Sequence, residues 1–128
     1  MNLNSGGLIV TLIRYLTEMG MGADVHGRDY TKAAKRAVSD AIRHSSLNFF
    51  RALDKSPDDM QITVRIGVAE PHQVDKDAVA AELPYGSVSV ECVIGGLDVP
   101  AANDHTPGSA LGDVIVMANA AVIVCFEE

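Results

Sequence analysis

The sequence predicts an α+β fold: a single-domain, two-layer sandwich with two helices on one face of a roughly four-stranded sheet, in the order β-α-β-α-β-β. Three observations carry this. Met60, Ile62, Val64, Ile66 and Val68 alternate with Gln61, Thr63, Arg65 and Gly67, and Val88, Val90, Cys92 and Ile94 alternate with Ser87, Ser89 and Glu91. A period of two marks strands with one covered face. From Thr31 the period changes, and Ala34, Ala37, Val38, Ala41 and Ile42 fall on the single apolar stripe of a helix. Residues 113–126 are apolar almost throughout and rich in β-branched side chains, as in a strand buried on both faces.

The remaining elements follow in order. Residues 1–7 read as a flexible lead-in to one domain spanning 1–128. Residues 8–18, rich in Leu, Ile, Thr and Tyr, form an opening strand that runs into a glycine-rich loop. Asp29 or Thr31 caps the first helix, and its alanines let it sit close to the sheet. Its polar face carries Lys32, Lys35, Arg36, Ser39, Asp40 and Arg43, with Arg36 and Asp40 spaced as an ion pair. Residues 47–59 are a connection. Pro71 and Asp75 open a second, shorter helix carrying Val79 and Leu83, and Pro84 stops it. Tyr85-Gly86 turns the chain, Gly95-Gly96 ends the next strand, and residues 100–112 form a loop with His105. The last strand has a break near Asn119, whose amide must find hydrogen bonds if it is buried. A strand apolar on both faces needs a second cover that two helices cannot supply, so a homo-oligomer is expected.

Composition bounds the function. The chain of 128 residues is 48% hydrophobic and 21% charged, and its net charge is −7. Nucleic acid is therefore not an expected partner, because phosphate binding relies on basic surface. All ten Lys and Arg lie at or before Lys76, and residues 77–128 hold eight acidic side chains. Residues 114–126 fall short of the roughly 20 apolar residues a membrane helix needs, so no membrane span is expected. Cys92 and Cys125 lie in apolar runs without a CxxC pattern, which reads as buried reduced thiols in a cytoplasmic protein.

Residues 20–29 concentrate the chemistry. Gly20, Gly22 and Gly27 bracket Asp24 and His26 ahead of the first helix. In extended backbone, residues two apart point the same way, so Asp24 would orient the His26 ring. Glycine permits tight or left-handed turns. A helix starting near Asp29 would aim free N–H groups at the same place, with Arg28 and Lys32 adding positive charge. The expected catalytic pair is Asp24 and His26; the expected ligand-binding residues are Gly20, Gly22, Gly27, Arg28, Asp29 and Lys32. A small, anionic molecule suits such a pocket. Three functions stay open: acid–base catalysis by a lyase, isomerase or hydrolase without a cofactor; a metal-dependent enzyme with Asp24 and His26 as ligands of zinc or another divalent ion; and a non-catalytic, small-molecule-binding regulatory protein. His44, His72, His105 and Asp29 are the candidates for a third metal ligand. His44 and Ser45-Ser46 otherwise read as the end of the first helix, and His72 as solvated.

The run from Gly20 to Gly27, with the stretch from Asp29 to Ile42, resembles an uncharacterised family of bacteria and plants defined by a GxGxDxHG motif. Ile66-Gly67-Val68, Val74-Asp75, Leu83-Pro84-Tyr85-Gly86 and Gly95-Gly96-Leu97 also look like that family, so the resemblance covers residues 14–126. It implies that Gly20, Gly22, Asp24, His26 and Gly27 are signature positions, and it brings no activity. The chain departs from the family at Ala69, where proline is usual. The element order is also similar to the chorismate-mutase and YjgF-type trimers, whose sites lie between subunits. The Asp-x-His after a first strand looks like the metal site of methylerythritol cyclodiphosphate synthase, without a matching third ligand.

Overall fold

The structure is a computed structural model that describes residues 2–3, 9–43, 54–100 and 113–128. His44, Ser45, Ser46 and His105 lie outside the described residues. The strands and α-helices of the described residues are β1 (Asn2–Leu3), β2 (Ile9–Val10), β3 (Leu12–Asp24), α1 (Tyr30–Arg43), β4 (Gln61–Val68), α2 (Lys76–Ala80), β5 (Ser87–Ile94), β6 (Leu97–Pro100) and β7 (Val114–Glu127). Among the described residues, β1 and β2 pair only with each other. Five strands make one sheet in the order β3-β7-β4-β5, with β6 beside β7 in line with β4. All its pairings are antiparallel except β4–β5, which α2 connects. The chain is thus an α+β sandwich with two helices on one side of an open sheet.

The strands at 61–68 and 87–94 lie where the period of two puts them. Ile62, Val64, Ile66 and Val68 are buried beneath the helices. On the opposite face Arg65 meets Glu91 across the parallel register, 3.1 Å apart. Asp75 caps α2 by accepting a hydrogen bond from the Ala78 N–H at 3.2 Å, and Val79 is fully buried. His72 is exposed.

Three expectations need correction. First, β3 does not stop at residue 18 but continues through Gly20 and Gly22 to Asp24. Those glycines are strand residues under α1, and their purpose is close approach. A Cβ on Gly20 would stand 2.4 Å from the Ala37 oxygen and the Ala41 nitrogen, and one on Gly22 would stand 2.4 Å from the Ala37 nitrogen. The helix answers with Ala33, Ala37 and Ala41, all fully buried.

Second, the sheet has a fifth strand. β5 ends at Gly95-Gly96, where Gly95 N–H donates to the Val68 carbonyl (2.9 Å) and Gly96 takes φ +65°. The chain thereby crosses the end of β4 and enters beside β7. Four residues are too few to show alternation, so only their pairing reveals them as a strand.

Third, β7 is not broken at Asn119, and within the single chain only its helix-facing side is buried. Val116, Ala118, Ala120, Val122, Val124 and Phe126 face the helices and are buried, whereas Ile115, Met117, Ala121 and Ile123 are half-buried and Asn119 is exposed. Asn119 keeps a structural partner: its Oδ1 accepts the Gly96 N–H at 3.1 Å. Among the described residues, no helix is long and apolar enough to cross a membrane. Cys92 and Cys125 are free thiols, and burial pushes the Cys92 thiol up despite the nearby Lys76.

Candidate functional site

The chain directions bring one set of side chains to a single end of the sheet. β3 ends there with Asp24, β4 with Val68, and β7 begins there just after Asp113. Asp24 and Asp98 are the register partners of Val116 on its two sides, so they share the helix-covered face with one strand between them. α1 starts over this end. Ligand sites favour the carboxyl ends of parallel strands, which here are those of β4 and β5.

Asp24 is only 3% exposed. Its Oδ2 accepts the Asp29 N–H at 3.0 Å, which closes the turn, and its Oδ1 lies 3.8 Å from both Lys32 Nζ and Arg36 Nη1. Arg36 also donates to the Ala23 carbonyl. Asp29 caps α1, accepting the Lys32 N–H on its side chain at 2.9 Å and the Ala33 N–H on its carbonyl at 3.1 Å. Thr31 Oγ1 accepts the Asp75 N–H at 2.9 Å and so ties α1 to the cap of α2.

His26 goes elsewhere. Its side chain is 83% exposed, and Nδ1 lies 3.4 Å from Asp113 Oδ2. The carboxylate beside this imidazole is therefore Asp113, and Asp24 serves the turn and the helix cations instead. The i, i+2 argument fails because the strand ends at Asp24 and the chain bends over residues 25–27, and the turn is completed by Gly27 at φ +89° and Arg28 at φ +51°. A left-handed arginine costs about 1 kcal/mol, which the capped turn around it must offset. The Arg28 side chain is exposed.

A second polar cluster lies under α1. Tyr30, 2% exposed, donates its hydroxyl to Asp98 Oδ2. Burial, then the hydrogen bond and negative charge of Asp98, then Glu70, hold this phenol well above its ordinary range. Asp98 Oδ1 is shut off from solvent with no hydrogen-bond partner among the described residues. On the outer side of α1, Lys32, Lys35 and Arg36 line an open groove of about 420 Å³ with Asp29, Thr31, Ser39 and Glu82. Lys35 pairs with Glu82 at 3.5 Å. Among the described residues, no group of three or more His, Cys, Asp or Glu is placed to hold a metal ion.

The fold thus gathers Asp24, Asp29 and Lys32, leaves His26 and Arg28 exposed on the adjoining turn, and puts Gly20 and Gly22 beneath the helix. Asp113, Tyr30 and Asp98 were not singled out from sequence, and Arg36 was read as a partner of Asp40 and not of Asp24. Arg36 follows Lys32 by one helical turn, a spacing that could have found it. Asp113 is 87 residues from His26 and Asp98 is 68 from Tyr30, so no local pattern could link them.

The family model described as "Conserved hypothetical protein (Lin0512_fam)" matches residues 14–124. The chain belongs to this family. The family assignment brings no activity with it, and no curated protein matches the chain. Among solved structures, the chain is similar to an FtsZ-like protein of unknown function from Nostoc punctiforme PCC 73102. The two are 36% identical, the match covers 93% of this chain and 99% of that one, and the TM-score is 0.79.

Proposed function

We propose that this Lin0512 family member is a small enzyme that acts on an anionic small molecule by acid–base chemistry at the turn between β3 and α1. The observation that carries the reading is the exposed His26 ring with a carboxylate, Asp113, on its Nδ1. A carboxylate on one ring nitrogen orients the imidazole and selects its tautomer, which leaves Nε2 free to take or give a proton. The separation of 3.4 Å is long, as such bonds often are before substrate binds. Lys32, Lys35 and Arg36 supply the positive lining for a carboxylate or phosphate, and Arg28 stands on the same turn. Asp24 is a positioning residue that fixes Asp29, Lys32 and Arg36. Lyase, isomerase and hydrolase chemistry all fit this arrangement.

The test is a panel of small carboxylates and phosphates followed by NMR with wild type, His26→Ala and Asp113→Asn. Wild type should consume one member, and His26→Ala should lose at least about 100-fold in rate, the scale of general acid–base catalysis. Because the His26 side chain is mostly exposed, this variant should melt within about 0.5 kcal/mol of wild type. Stabilisation by a panel member without turnover would make the chain a binding protein. Unfolding of His26→Ala would make the residue structural.

A further inference from the structure

The helix-free face of the sheet divides into two regions by register. On the β4 and β5 side it carries Gln61, Thr63, Arg65, Ser87, Ser89 and Glu91. On the β3, β7 and β6 side it is apolar. Met19 pairs with Ala121, Thr17 with Ile123, Leu97 with Met117 and Val99 with Ile115, and Met21 lies opposite Asn119. Met19 is 69% exposed, Met21 58%, Leu97 55% and Val99 41%. Large methionines and leucines exposed together on one sheet face mark a contact surface rather than scattered surface apolarity.

Charge and area identify the occupant. The chain carries −7, so two copies repel over most of their surfaces. On this face the strands place two arginines, Arg14 and Arg65, and two glutamates, Glu91 and Glu127, and Arg65 is already paired with Glu91. The face is therefore neutral, and a second copy can approach it without that repulsion. From strand spacing and rise the five-stranded face measures roughly 750 Å². A stable pair buries about 800 Å² per partner. We infer that this face is the contact surface of a homodimer, in which the whole faces of two copies pack together, the apolar β3, β7 and β6 region forming the core of the contact and the polar β4 and β5 region its rim. Twofold symmetry suits it, because an isologous contact sets the same apolar region against itself.

Sedimentation equilibrium on the full chain tests this from micromolar to near-millimolar concentration, with Met19→Glu/Met21→Glu and, separately, Leu97→Lys. All three positions are exposed in the single chain, so both variants should keep the wild-type circular dichroism spectrum. Wild type should have the mass of two chains. Each folded variant should have the mass of one, because like charges brought together in an apolar contact separate the copies. Loss of the dimer in either folded variant supports the inference. A wild-type mass of one chain or of three, or a dimer that persists in both folded variants as pairing through the β5 edge would give, overturns it.

Discussion

Tyr30 packs its ring into the core and keeps its hydroxyl on Asp98, a residue of another strand. Its phenol is harder to ionise folded than unfolded. The stabilisation this represents is fully present below the unfolded value of about 10, and is lost as pH rises from there towards the folded value. Urea denaturation of wild type should therefore show stability falling above about pH 10. Tyr30→Phe should be less stable at neutral pH by about 1–2 kcal/mol, since Asp98 loses its donor, and should lack that part of the alkaline decline. Parallel declines in the two proteins would remove Tyr30 as the cause. Arg28 poses the opposite case, a side chain on an unfavourable backbone (φ +51°). Arg28→Gly relieves the backbone but frees the unfolded chain, so its stability should stay within about 1 kcal/mol of wild type. A loss of anion binding in that variant, with melting unchanged, would assign Arg28 to the ligand; unchanged binding would leave it a turn residue.

At the scale of elements, α1 sits on β3 because glycine faces alanine across the contact. Gly22→Ala forces a methyl group to 2.4 Å from helix backbone, which cannot rotate away. Overpacking of this kind should cost about 3 kcal/mol, seen as a lower denaturation midpoint with an unchanged slope. A loss under about 1 kcal/mol would mean the helix can shift outward. α1 also guards the edge of β3: Asp40 accepts the Met21 N–H at 3.0 Å, and Arg36 occupies the Ala23 carbonyl. Edge groups covered in this way cannot recruit another strand. Opposite Met21 on β7, Asn119 supports the crossing from β5 to β6. Asn119→Ala leaves the Gly96 N–H without its acceptor and should destabilise by about 1–3 kcal/mol. Hydrogen exchange of the Gly96 amide should speed up in that variant, and an unchanged rate would show that this bond does not hold the crossing.

For the whole molecule, the asymmetry of the sheet matters most. One face is covered by two helices and the other by nothing among the described residues. The net charge of −7 makes two copies repel on average, and that face is neutral. A dimer formed there should tighten as salt rises, because screening weakens the general repulsion while apolar contact remains. Sedimentation at low and high salt reads this directly. Weaker association at high salt would mean that ion pairs hold the copies together.

Much of the fold was legible in the sequence because alternation and helical period are local. The strands at 61–68 and 87–94, the helix stripe from Ala34 to Ile42, and the cap at Asp75 all follow from neighbours within a few residues. The candidate site was picked out locally too, since glycines, a carboxylate and an imidazole gather before a helix. Its wiring was not. Whether Gly20 and Gly22 loop out or lie flat under a helix depends on the alanines of α1, and whether β6 is a strand depends on β7. His26 was read with Asp24 but meets Asp113, because the strand ends at Asp24, the chain bends over residues 25–27, and the start of β7 brings its own carboxylate alongside. Sequence alone determined the elements that carry a clear local period and the apolar content that builds the core. Only the tertiary structure decided which side chains share a site, because pairing across tens of residues is set by packing and register, which no local period records.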